Sequence, residues 1–533
     1  MRQSQTPRRA LALVAGLGIV IASASSAHAQ ATLRWSHLGT SEVATDNDLA
    51  VGDGGGQVFT DTGRFGRRTR LFSAFAPDGQ EIAWQTQSSA EVRERSIASD
   101  PWSDLYAVSL LEDSGSQRIV RLEVFDSSSP SPRWSYTFPG TFGGGEVNWC
   151  HITEDGQWIL AAVKESSGVR IVRFPATTSP QSSPVAQTLI PWFGSLSTVL
   201  FDGHGQRVLL GSGAYCELRD VGSGAQLFSK YPSSGSSLGH ALASGGRALA
   251  FASDDAVVIY SDGPSGFTLT RTLAPFAGLS NYWLREARLS QDGSVVVAAY
   301  IETSSWRTAH LFVWEVSTGA QLWSGSWTGA AGLQNIPSDL DLQGKSGERI
   351  AMSSRGDETG PAPELVVLES NASGGYDLVT EFNRPGSLMA VEFCPLGRRV
   401  AAAGRPGHLS DGGVSSVVEL FELESDLRLE GLPRVGQLIE FEFEPEVPAQ
   451  ATPFCWLLDS AGPAEPPVST AFGLLQVDRA SALLRPMGAT DGAGIARRSL
   501  TVQGPVGSRR YFQAFALTPR RLSTSWLQVT ALP

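Results

Sequence analysis

The sequence predicts an all-β fold in which one strand–turn–strand unit recurs along most of the chain and a smaller all-β segment follows it. Three observations support this. The 533 residues include 57 Gly, 30 Pro and 14 Trp against 4 Met, and only 18% are charged; helix-rich chains lean instead on Glu, Lys and a 3.6-residue apolar period. An apolar strand, an Asp/Gly turn and a second strand of small and β-branched residues repeat in order up to Gly404. The phrase then stops, and composition shifts near Ser425.

The repeat reads ITEDGQWILAAV at Ile152–Val163, VLFDGHGQRVLLGS at Val199–Ser212 and ALASGGRALAFAS at Ala241–Ser253. It continues as ARLSQDGSVVVAAY at Ala287–Tyr300, LDLQGKSGERIAMSS at Leu340–Ser354 and VEFCPLGRRVAAAG at Val391–Gly404. Looser copies begin at Val43 and Ile97. Asp-Gly and similar pairs tolerate the positive φ of tight turns, so each copy is a hairpin. A second hairpin follows each copy, most plainly LFVWEVSTGAQLWSGS at Leu311–Ser326. Two hairpins make a four-stranded antiparallel sheet. The interval between first turns runs from 41 residues (His204 to Gly245) to 55 (Asn47 to Trp102), the size of a propeller blade. The expected architecture is an eight-bladed β-propeller, alternatively seven-bladed, over residues 30–424.

The SQDG and EDG turns and the blade-closing VSTGAQLW resemble those of bacterial secreted WD40-like and quinoprotein-like propellers over Ala31 to Glu424. The Trp-Asp dipeptide of strict WD40 repeats is replaced by Trp-Glu, Arg-Asp and Val-Phe-Asp, and Gly239-His240 is the single Gly-His element. The final copy has three strands and no fourth. ATLRWSHLG at Ala31–Gly39 resembles the closing strands QLWSGSW and PRWSYTF. It is therefore expected to complete the last blade and spare the ring two open edges.

Residues 425–533 hold the strand signals QLIEFEFEP, PFCWLLDS, FGLLQVD, ARRSLTVQG, RRYFQAFAL and SWLQVTAL between Pro/Gly turns. They predict a C-terminal β-sandwich. With its Gly-Leu-Pro-Arg-Val-Gly opening (Gly431–Gly436) and Thr-Asp-Gly-Ala-Gly turn (Thr490–Gly494), the segment resembles a C-terminal module of secreted bacterial proteins. The resemblance implies attachment or packing rather than catalysis.

Residues 1–29 read as a signal peptide. Arg2, Arg8 and Arg9 precede an apolar run from Ala10 to Ser23, and Ala27-His28-Ala29 supplies the small residues of a cleavage site. The run is shorter than the roughly 20 residues a membrane span needs, and no other segment is apolar enough for a transmembrane helix. The protein is expected to be exported, to the periplasm, cell surface or exterior. Cleavage takes the formal charge from −12 to −15. Such a surface repels phosphate backbones, so nucleic acid is not an expected partner.

Sites of known chemistry are sparse. The histidines after residue 29 (His37, His151, His204, His240, His310, His408) show no metal-binding spacing, and no GxSxG elbow or P-loop occurs. No metal or cofactor is expected; Asp46, Asp48 and Asp53, or Asp339 and Asp341, lack the dense alternating oxygens of a calcium loop and suit turns instead. Cys150, Cys216, Cys394 and Cys455 are far apart, three of them inside apolar strand patterns, which favours free buried thiols over disulfides.

Aromatic and arginine residues outside strands mark the expected binding face. Loops between blades and loops joining second to third strands gather at one end of a propeller. Mapped so, that end holds Trp149, Trp192, Phe193, Tyr282, Trp283 and Trp327, together with Trp306, Arg307, Arg355, Arg405 and His408. Trp and Arg are common interface anchors. The expected function is a non-enzymatic binding or scaffold protein with a protein or glycan ligand. Two alternatives stand beside it: a propeller enzyme (a quinoprotein-like dehydrogenase, or a carboxylate-based lyase or glycosidase), and a structural part of a surface assembly.

Overall fold

The computed structural model describes most of the chain from Thr32 to Thr530. Residues 1–31, 531–533 and several connecting segments, among them 40–48, 232–238, 277–280, 409–415 and 444–453, are outside the described residues. All described regular structure is strand, and no described helix is long and apolar enough to cross a membrane.

Eight four-stranded antiparallel sheets account for the first part of the chain among the described residues. Sheets 1 to 7 span residues 49–87, 91–137, 148–190, 198–230, 239–273, 282–328 and 337–382, each with its strands in sequence order. Sheet 8 takes three strands from residues 387–422, and its fourth is Thr32–Gly39, paired with Ser416–Glu422. The N-terminal strand thus closes the last sheet, as the sequence led us to expect. The architecture is a β-propeller.

The turn chemistry behind the repeat is visible in full. Asp155 Oδ1 accepts the Thr153 hydroxyl at 2.6 Å and the Gln157 amide at 3.0 Å. Asp292 accepts Ser290 Oγ and the Ser294 amide in the same way. The following glycines, Gly156 and Gly293, sit at φ +63° and +73°, which a Cβ-bearing residue rarely adopts.

Between sheets the packing is apolar. Sheets 5 and 6 share Ala250, Ile259, Leu284, Ala298 and Tyr300, and sheets 6 and 7 share Val297, Val313, Leu340 and Ile350. Cys150, Cys216, Cys394 and Cys455 are buried and form no disulfide among the described residues, and burial pushes the Cys150, Cys216 and Cys455 thiols up to about 12.

The first strands line the axis and are joined around it by hydrogen bonds. Ser99 Oγ reaches Val51 O at 2.8 Å and the Cys150 amide reaches Ser96 Oγ at 3.2 Å, joining sheets 1, 2 and 3. The amides of Glu154, Gly203, Gly245 and Asp292 then donate to the carbonyls of Gly203, Ser244, Gln291 and Lys345, carrying the chain of contacts to sheet 7. Asp339 Oδ2 and Asp341 Oδ2 accept the Val391 and Phe393 amides of sheet 8 at 3.0 and 2.7 Å. Glu392 accepts the Val51 amide and returns the circuit to sheet 1.

Past Glu422 the strands form other sheets. Leu427–Glu430, Leu438–Phe443 and Ala496–Thr501 make one; Phe454–Ser460, Leu483–Ala489, Arg509–Leu517, Arg520–Leu522 and Leu527–Thr530 make another; Pro463–Thr470 pairs with Gly473–Val477. Phe441 and Phe443 of the first share a core with Cys455, Leu457, Phe512 and Ala514 of the second. Asp459 is buried at its rim, held by Arg485 and Arg510.

Candidate functional site

Four antiparallel strands place first and third turns at one end of each sheet, the turn face. Second loops and inter-sheet connections lie at the other, the loop face. Sheet 6 contributes an aromatic cluster to the loop face. Tyr282 and Trp283 open its first strand (Tyr282–Leu289), and Trp306 and Arg307 lie between its second (Val295–Glu302) and third (Thr308–Glu315). The Trp283 and Trp306 rings meet edge to face, centroids 5.3 Å apart at 85°, and the Arg285 guanidinium lies 5.2 Å from the Trp283 ring. Both indoles are half-buried.

Trp306 stands at φ +58°, the only non-glycine positive φ among the described residues. Its loop is gathered on Glu302, whose carboxylate accepts Ser304 Oγ at 2.6 Å and Ser305 Oγ at 3.2 Å while its carbonyl accepts the Trp306 amide. These hydroxyls hold the Glu302 carboxyl below its usual range. Arg307 Nε donates to Gly329 O at 2.9 Å, tying the loop to the connection toward sheet 7.

The other expected residues divide by burial. Tyr282 stacks flat on Phe276 at 3.5 Å and packs on the core between sheets 5 and 6. Trp149 is half-buried against the core between sheets 3 and 4. Trp192 is 3% exposed, its Nε1 on Ser195 O, and Trp327 is 9% exposed, its Nε1 on the Glu381 carboxylate. Arg355 and His408 both meet Gln334, through Oε1 at 3.0 Å and the carbonyl at 3.1 Å. His408 is buried, and burial lowers the pKa of half-buried Arg405. Phe193 lies outside the described residues, as do Asp46 and the third-strand side of the Arg405 loop.

The structure therefore brings Trp283, Trp306 and Arg307 together, and Arg355 and His408 together, with segment 329–335 between them. Trp192 and Trp327 act in packing. Sequence reasoning did not find Tyr215 and Tyr231. Trp192, Tyr215 and Tyr231 form a ladder of rings, 5.6 and 4.5 Å apart, that ends at Tyr231, 71% exposed. Both tyrosines sit at strand ends, where a single aromatic gives no periodic signal. Burial, then the bond to Glu217, pushes the Tyr215 hydroxyl up to about 12.

The turn face has a different character. A cavity of about 590 Å³ opens on the axis there, lined among others by His151, Glu154, Phe201, Asp341, Glu392 and Phe393. Glu154 spans it, accepting Gln291 Nε2 at 2.9 Å and the Ser244 hydroxyl. Burial raises Asp341 to about 6, and burial with the Asp341 and Asp339 carboxylates raises Glu392 well above its usual range. Asp341 gives one oxygen to the Phe393 amide and the other to the Leu342 amide at 2.9 Å. Asp339 takes Arg288 and backbone amides. These aspartates tie the wall of sheet 7 to sheets 6 and 8. No group of three or more His, Cys, Asp or Glu suited to a metal occurs among the described residues.

The fold and this face define a β-propeller with an aromatic- and arginine-bearing end. No family model matches the chain, and no curated protein matches it. Solved structures similar to it include the β-propeller domain of Myceliophteria thermophila Cps50 (Swd1), at 12% identity over 73% of this chain and 99% of that one, with a TM-score of 0.40. The WD40 domain of Toxoplasma gondii coronin is similar at 9% identity over 74% and 88%, TM-score 0.43. The Dos1 propeller is similar at 10% over 74% and 95%, TM-score 0.47.

Proposed function

We propose that the protein is a non-enzymatic scaffold that binds a protein partner through the loop face, centred on Trp283, Trp306, Arg285 and Arg307. The observation that carries the reading is Trp306. Left-handed backbone costs an ordinary residue about 1–2 kcal/mol, and such strain clusters at binding sites. Here a tryptophan takes that conformation and meets a second, half-buried tryptophan. Two rigid rings with flanking guanidiniums suit an interface hot spot, and a glycan that stacks on indole is the other ligand of that chemistry.

In this proposal the ring has eight blades rather than seven, since eight sheets have four strands each and their first strands form a closed circuit. Residues 425–533 act as a β-sandwich attachment domain, supported by the core its two larger sheets share. Residues 1–29 direct export, a reading supported by their charge and apolar pattern alone.

The cavity supports a second reading, a propeller enzyme working with Glu154, Asp341 and Glu392. It is the weaker one, because both Asp341 oxygens are committed to backbone amides and Glu392 ties sheet 8 to sheet 1. The test is to present residues 30–533 to extracytoplasmic proteins and to a glycan array. The Trp283→Ala and Trp306→Ala variants should lose the ligand while Glu154→Ala keeps it. The reverse pattern would move function to the cavity.

A further inference from the structure

Between the two clusters of the loop face lies a group of fully buried oxygens whose hydrogen bonding is incomplete. Asp357 is 0% exposed, Glu364 is 0% exposed and Asn335 is 1% exposed. Asp357 Oδ2 accepts the Ala330 amide at 2.9 Å, Glu364 Oε2 accepts the Arg384 amide at 2.7 Å, and Asn335 Nδ2 donates to Trp327 O at 3.0 Å. Asp357 Oδ1 and Asn335 Oδ1 have no partner in hydrogen-bonding geometry, and Glu364 Oε1 completes no bond of good geometry although the Asp357 amide faces its carboxylate.

The three residues are neighbours. A Cβ placed on Gly329 would stand 3.1 Å from Asn335 Cβ and 3.2 Å from Asp357 Cβ. The Asp357 charge acts directly on Glu364. Gly360 and Gly356 lie against the two carboxyl groups so closely that a side chain at either would collide with them. Burying two carboxylates is expensive unless an opposite charge accompanies them. Arg384, whose amide bonds Glu364, pairs its guanidinium with Glu419.

We propose that Asp357 Oδ1, Glu364 Oε1 and Asn335 Oδ1 bind one hard divalent cation, of the calcium class, inside the loop face. Two carboxylates and a carboxamide are the oxygen donors that calcium takes, with carbonyls or water completing its six to eight ligands. Magnesium demands a tighter octahedron and holds more water. The ion neutralises the buried pair. It also braces segment 329–335, which connects Arg307 through Gly329 to Arg355 and His408 through Gln334. The ion site does not depend on the identity of the face's ligand.

The experiment uses the chain from residue 30 to 533, stripped with a chelator and titrated with calcium chloride or magnesium chloride by calorimetry and thermal unfolding. One equivalent of calcium is expected to bind and raise the melting temperature, with magnesium at least tenfold weaker. Glu364→Gln should weaken calcium at least about tenfold. Asn335→Asp, which keeps an oxygen in place and adds charge, should bind at least as tightly as the parent. Preference for magnesium would overturn the calcium assignment. Absence of binding to the stripped parent, or unchanged binding in Glu364→Gln, would overturn the site.

Discussion

Trp306 and His240 show how single residues hold the balance between fold and function. A glycine at 306 relieves the left-handed strain but loses an aromatic edge contact of about 0.5–1.5 kcal/mol. Trp306→Gly is therefore expected to change stability by less than about 1 kcal/mol in urea unfolding, while removing ligand binding. A larger loss would make Trp306 structural. His240 is 4% exposed, its two ring nitrogens have no partner, and it packs over Gly211 and against Phe251. Burial lowers its pKa from 6.5 to about 4. Between these values the unfolded chain takes a proton that the folded one refuses. The contribution is thus intact above pH 6.5 and lost as pH falls to 4, by about 3 kcal/mol. Relative to the parent, His240→Leu should gain that amount on acidification; parallel pH profiles for the two would count against it. At this scale the sequence was least informative. Trp192 and Trp283 look alike as loop tryptophans, and only the packing around them separates a core ring from a half-buried one.

At the scale of elements, much more was legible. Turns were readable because Thr153–Asp155–Gly156 and Ser290–Asp292–Gly293 each carry their own hydrogen bonds, independent of the rest of the chain. Pro463–Thr470 and Leu483–Ala489 were missed: Pro463, Pro466, Pro467 and Pro486 lower strand propensity, and such strands form only at edges or beside bulges. Both strands do lie at sheet edges, with register shifts after Pro463 and between Cys455 and Trp456. Close approach matters as well. A Cβ on Gly404 would stand 1.9 Å from Ser387 O and 2.8 Å from Leu388 Cα, backbone atoms that cannot turn aside. Gly404→Ala should cost about 3 kcal/mol by forcing apart the first two strands of sheet 8. A melt like the parent's would show that those strands can shift.

For the whole molecule, the governing feature is closure. Each sheet buries its faces against its neighbours, so a gap anywhere would expose two apolar faces at once. The hydrogen bonds around the axis run through every sheet, and Glu392 and the Thr32–Gly39 strand both serve the junction between the first and last sheets. Closure was predictable because one missing strand and one spare strand matched. The channel wall was not, since Asp339, Asp341 and Glu392 sit far apart in sequence from the groups they tie. The loop face and the proposed ion site both depend on sheets 6 to 8 keeping their places in that circuit.

The most direct measurement of closure compares residues 30–533 with residues 40–533 by thermal unfolding and amide hydrogen exchange. Without Thr32–Gly39, the Ser416–Glu422 strand becomes an open edge. A fall in melting temperature of roughly 10 °C is predicted, with faster exchange at 416–422 and at its partner strand 399–405. Equal melting temperatures and equal protection of 416–422 would contradict a ring closed by its N-terminal strand.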